Sequence, residues 1–178
     1  MNEPPDPMDS SAGRPPPLGE AELLQRLAGL GIATRTVAHP PVFTVEEAKR
    51  LRGQLPGGHC KSLFLRNKKG GMWLVVTLED RAVDLKGLGE RLGAGRLSFG
   101  SPDRLMRHLG IIPGAVTPFA VVNDRERSVT VALDAALLRH DPLNFHPLRN
   151  DRTTAIAPAD LVRFLDAEGH PPLILDLD

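Results

Sequence analysis

SLFLR (62–66) and MWLVVTL (72–78), joined by NKKGG (67–71), form the stretch from which the fold is read. Two apolar runs of strand length flank a polar connector holding two glycines, the pattern of an antiparallel hairpin. Towards the C-terminus, Asp84 to Leu92 and Pro102 to Leu109 carry helical spacing, with Arg96 to Phe99 extended between them. A loop rich in glycine and proline, Gly110 to Pro118, follows. Phe119 to Val122 and Ser128 to Leu133 predict a second hairpin across Asn123 to Arg127, and Thr153 to Ile156 a further strand. Ala157 to Ala167 reads as a helix and Pro172 to Leu177 as a short strand.

Towards the N-terminus, Ala21, Leu23, Leu24, Leu27 and Leu30 recur at helical spacing and end at Gly29 and Gly31. Ala33 to Ala38 predicts a strand, His39-Pro40-Pro41 a turn, and Thr44 the cap of a short helix reaching about Leu51. Residues 1–17 hold six prolines without apolar periodicity and read as a disordered tail; residues 18–178 read as one domain. Strands meeting as hairpins among interspersed helices favour a mixed α/β, α+β-like domain with a largely antiparallel sheet over a doubly wound parallel one.

Composition narrows the function. Lysine plus arginine equals aspartate plus glutamate at 22 each, so net charge does not mark a nucleic-acid coat, and DNA is not an expected partner. Contact with RNA would fall to local basic groups: Arg66, Lys68 and Lys69; Arg91 and Arg96; or Arg104 and Arg107, each of which also reads as a solvated face. The single cysteine, Cys60, excludes an intramolecular disulfide, and no Cys/His spacing fits a structural zinc; no metal or cofactor is expected. No run suits a membrane span and no secretory pattern opens the chain, so a cytoplasmic location is expected.

No G-x-S-x-G elbow, H-E-x-x-H helix, P-loop or G-x-G-x-x-G fingerprint is present. Four segments remain. HPPVFT (39–44) is a rigid turn followed by side chains that either wall a small pocket or simply pack. GHCKSLFL (58–65) places Lys61 where alternation begins: turned inward it needs an anionic partner, turned outward it is a surface charge. GIIPGAVTPF (110–119) offers Gly114, where the backbone can approach a ligand and successive amides can converge on an oxyanion; it also reads as a plain connection. NFHPLRN (144–150) sets His146 and Asn150 about a proline turn, as catalytic or as structural groups.

In this order the segments HPPVFTVEEA, KSLFL, RLSFG, LGIIPGAVTPFA, HPLRN and FLDAEGHPP resemble the YbaK/ProX family of aminoacyl-tRNA deacylases, which is related to the insertion domain of bacterial prolyl-tRNA synthetase. The resemblance spans nearly all of 18–178, and the wording is similar to the alanine-specific branch. It implies a YbaK-like fold and metal-free hydrolysis of alanine from the acceptor end of mischarged tRNA(Pro), with prolyl-tRNA synthetase as a transient partner. It assigns roles to Lys61, Gly114 and His146, with Pro118 closing the G-x-x-x-P loop and Asn150 in the histidine turn. Ser62 stands where the family usually has asparagine. Val42, Phe43 and Thr44 are assigned to the wall of a small sieve, and the loop residues Ala115, Val116 and Thr117 to substrate binding. The other readings are a non-catalytic RNA- or aminoacyl-binding module of the same fold, and a deacylase for serine or cysteine.

Overall fold

The computed structural model describes residues 15–41 and 44–178. In chain order its elements are α1 (Glu20–Gly29), β1 (Thr34–Ala38), α2 (Val45–Arg52), β2 (Gly58–Arg66), β3 (Met72–Leu78), α3 (Leu85–Leu92), β4 (Ser98–Phe99), α4 (Pro102–Leu109), β5 (Val129–Asp134), β6 (Leu143–Phe145), β7 (Arg152–Ile156), α5 (Pro158–Ala167) and β8 (Leu173–Leu175). Helix starts follow local chemistry. The Asp84 carboxylate accepts from the amides of Lys86 and Gly87 to begin α3, and Ser101 with Pro102 begins α4, which ends at Gly110 in the left-handed region (φ 65°). No described helix is long and apolar enough to cross a membrane.

The predicted hairpin is the centre of one mixed sheet of order β1-β7-β6-β2-β3-β5-β8, with β4 added to β2. β2 and β3 pair antiparallel from Cys60–Leu78 to Arg66–Met72. Four pairings are antiparallel; β2–β6, β3–β5 and β5–β8 are parallel. Because strand side chains alternate, β2 sends Phe64 and Cys60 into the main core, which α1, α4 and α5 cover. Its Leu63 and Leu65 turn to a smaller core beneath α3.

The second hairpin does not form. Pro118–Asn123 is a run of 3₁₀ helix, and β5 instead pairs parallel with β3. Thr117 accepts from the Phe119 amide and Pro118 opens the turn, a helix start rather than a strand start. Pro118 to Val122 are all buried, so this apolar run had no alternating face to expose. β6 was not anticipated: three residues ahead of His146 join β2 to β7. Residues 1–14 lie outside the described residues. Pro17, at the end of the expected tail, lies against Gly110, and Leu18 exchanges hydrogen bonds with Asn123.

Two contacts fix the loops that matter. Phe119 meets Phe145 edge-on at 5.7 Å and Phe164 at 5.6 Å, so the segment after Pro118 and the strand before His146 share one aromatic junction. His170, in the turn after α5, meets Asp124 at 2.9 Å with both side chains buried, while Asp124 also accepts from the Ser128 and Val129 amides.

Candidate active site

Lys61 and His146 come onto one face of the sheet. β2 and β6 are parallel, with Gly58 opposite Leu143 and His59 opposite Asn144. Lys61 lies two residues beyond the last paired residue of β2 and His146 two beyond that of β6, so alternation turns both to the face opposite Cys60 and Phe145, which turn to the main core. Lys61 is half-buried, and its Nζ donates to the Arg81 carbonyl. Arg81 is itself anchored: Nε lies 2.5 Å from the buried Asp134 carboxylate and a terminal nitrogen 2.5 Å from Asp178. Beside it opens a cleft of about 520 Å³ lined by Gly57, Gly58, His59, Glu79, Arg81 and His140, among others.

At His146 the ring is held at one nitrogen. Nδ1 faces the Arg152 carbonyl at 2.9 Å, so it carries the proton and Nε2 is left as the basic nitrogen. Burial lowers the pKa below the ordinary histidine value; the Arg152 carbonyl opposes this, and the neighbouring His39 adds to it. The two rings are 6.2 Å apart. His39 Nδ1 donates to the Pro40 carbonyl, and Nε2 meets the Thr153 hydroxyl at 2.8 Å. The sequence pattern marks His39 only as part of a rigid turn. Its place beside the histidine after β6 depends on β1 pairing with β7, which no local pattern announces.

Cys60 is not a nucleophile of this site. Burial pushes its thiol up to about 12, with Glu79 adding to the rise, so the thiolate is absent at neutral pH. Ser62 lies opposite Val76 on the main-core face of β2, away from Lys61. Among the described residues no three His, Cys, Asp or Glu side chains are grouped to hold a metal ion.

The glycine- and proline-rich loop packs against the main core. Ala115, Thr117 and Pro118 are buried, whereas Gly114 is exposed and Val116 half-buried against the main core. The Ala115 amide is spent on the Ile112 carbonyl. Thr44 is exposed and caps α2: its hydroxyl accepts from the Glu47 amide while its own amide donates to the Glu47 carboxylate. Val42 and Phe43, read as sieve wall, lie outside the described residues. An amide nitrogen of Asn150 is buried and, among the described residues, has no hydrogen-bond partner. Leaving such a donor unmet costs about 1–3 kcal/mol unless something else fills it.

Residues 39–164 match the model of the aminoacyl-tRNA editing domain. The mouse prolyl-tRNA synthetase associated domain-containing protein 1 is 40% identical over 163 residues, covering 89% of this chain and 96% of that one. The prolyl-tRNA editing protein ProX of Acetoanaerobium sticklandii is 36% identical over 149 residues, covering 83% and 91%. A solved structure described as a proposed trans-editing enzyme for prolyl tRNA synthetase superposes with a TM-score of 0.68 at 23% identity, covering 88% and 95%, which supports the fold.

Proposed function

This chain belongs to the aminoacyl-tRNA editing domain family, and on that premise we propose that it is a deacylase that removes alanine from mischarged tRNA(Pro). The observation that carries the reading beyond family membership is the common face of the sheet to which the alternation of β2 and β6 turns Lys61 and His146. A water molecule attacks the ester carbonyl; its oxygen bonds to carbon, the bond to the ribose oxygen breaks, and the proton passes to that oxygen. Free alanine and tRNA leave. His146 Nε2, neutral and directed by the Arg152 bond on the opposite nitrogen, accepts a hydrogen bond from the water or from the neighbouring ribose hydroxyl.

Lys61 anchors the terminal nucleotide as a cation. Loop amides adjoining Gly114, other than the engaged one of Ala115, stabilise the oxyanion, and loss of one such donor typically costs about 10²–10³ in rate. Selectivity follows from size, since a synthetase pocket built for proline gains only about 1–3 kcal/mol per methylene over a smaller residue and needs a second, smaller sieve. The experiment is single-turnover deacylation, in excess chelator, of tRNA(Pro) charged with alanine, serine, threonine, cysteine or proline. Alanine should be released fastest and proline spared. Binding without release would instead make the chain a non-catalytic module, and preference for another residue would replace alanine.

A further inference from the structure

Two basic groups far apart in sequence become neighbours at the end of β2 remote from Lys61. Asn67, in the hairpin turn, donates to the Ala94 carbonyl at 2.9 Å, and Arg66 lies opposite Ser98 where β4 joins β2. Lys68 and Lys69 are thereby set beside Arg96, all three exposed and without an ion pair among the described residues. Phe99, opposite Leu65 in the register and so on the same face of β2 as Lys61, is 62% exposed. A large aromatic left in water beside three unpaired cations is a combination suited to a nucleic acid, the cations to phosphates and the ring to a base.

Scale selects the part of the substrate. Five residues at about 3.3 Å each separate Lys61 from Arg66, so the turn lies roughly 20 Å from the anchoring ammonium. The unpaired 3′ end of a tRNA spans a comparable length before the acceptor duplex begins. We propose that Lys68, Lys69 and Arg96 grip the backbone of the acceptor duplex, while Phe99 stacks where the single strand leaves it. This rests on the deacylase reading and specifies how that substrate lies on the protein.

The test compares two alanyl esters: an acceptor-stem minihelix of tRNA(Pro), and a short single strand carrying only the 3′ end. The variants are K68A/K69A/R96A and Phe99→Ser, all at exposed positions, with circular dichroism as a check on folding. For the minihelix, KM of the unmodified protein should rise between 50 and 200 mM salt about 40-fold more than that of the triple variant, as loss of three phosphate contacts requires. Phe99→Ser should raise the minihelix KM about fivefold or more at every salt concentration. The short strand should show neither effect. Equal losses on both substrates, or an unchanged salt slope in the triple variant, would overturn the proposal while leaving the deacylase reading intact. An unmodified protein that hydrolyses neither ester would instead sink the deacylase reading itself.

Discussion

Replacing Lys61 with methionine removes one ammonium and keeps most of the aliphatic stem, so it isolates charge from packing. In the free protein that ammonium makes one hydrogen bond, to the Arg81 carbonyl, from a half-buried strand position. A carbonyl at the edge of a cleft can turn to water, so the loss of stability should be about 1 kcal/mol. In the proposed role the same ammonium would face a ribose or phosphate oxygen of the bound substrate, a charged hydrogen bond worth about 1.5–3 kcal/mol. That corresponds to a fall of about 10- to 150-fold in kcat/KM. Single-turnover deacylation of Ala-tRNA(Pro) by the methionine and arginine variants, with urea unfolding in parallel, separates the two. Arginine should restore only part of the activity, because its planar fork cannot occupy the place of a compact ammonium on one carbonyl. A folded methionine variant within about twofold of the parent rate would refute the anchoring role and leave Lys61 as a strand-edge charge.

The other predictions concern the histidine and a glycine. Because burial holds His146 below the ordinary histidine pKa, the acid limb of kcat/KM should fall at a pH below about 6.5. The depressed value also means the unfolded chain binds the proton first, so stability contributed by the neutral ring is present above about pH 6.5 and lost as pH falls towards the lower folded value. His146→Gln should abolish the acid limb and flatten that slope; a limb that persists unchanged assigns it to another group. Gly57→Ala should destabilise by more than about 2 kcal/mol, since the residue sits at φ 100° and an added Cβ would lie 2.2 Å from the Pro142 carbonyl oxygen. Gly70→Ala, at φ 87° with open space around it, separates strain from overlap and should cost about 1 kcal/mol; equal urea midpoints for the two variants would deny the clash.

Much of the fold was legible where periodicity was unambiguous. The hairpin of β2 and β3, the five helices and the strand at Thr153 all follow from alternation, helical spacing and caps. Misreading arose where a short apolar run could be either strand or helix: Phe119 to Val122 is buried on every side, and burial all round erases the period that would distinguish them. β6 was hidden for the opposite reason, since three residues are too few to show a period and the following His-Pro reads as a turn. At the site, Lys61 was legible as a cation in an apolar strand, and its backbone partner was not. The Arg81–Asp134 pair that steadies that partner joins distant segments and has no sequence signature.

The parallel pairing of β2 with β6 explains how the two residues singled out in sequence come to share a face of the sheet. In an antiparallel pair, advancing two residues along one strand retreats along the other, so a lysine and a histidine placed just after the paired residues would diverge. In a parallel pair both chains advance together, and the period of two keeps Lys61 and His146 on one face. Pairing β7 antiparallel to β6 then returns Thr153 beside that face, and β1, antiparallel to β7, delivers His39 to it. The arrangement therefore depends on register. A one-residue slip of β2 against β6 would turn Lys61 into the main core and Cys60 towards His146, exchanging a cation for a thiol that burial keeps protonated. The burial of Phe64 and Phe145 on the opposite face opposes such a slip, so the main core stabilises the register on which the proposed chemistry rests.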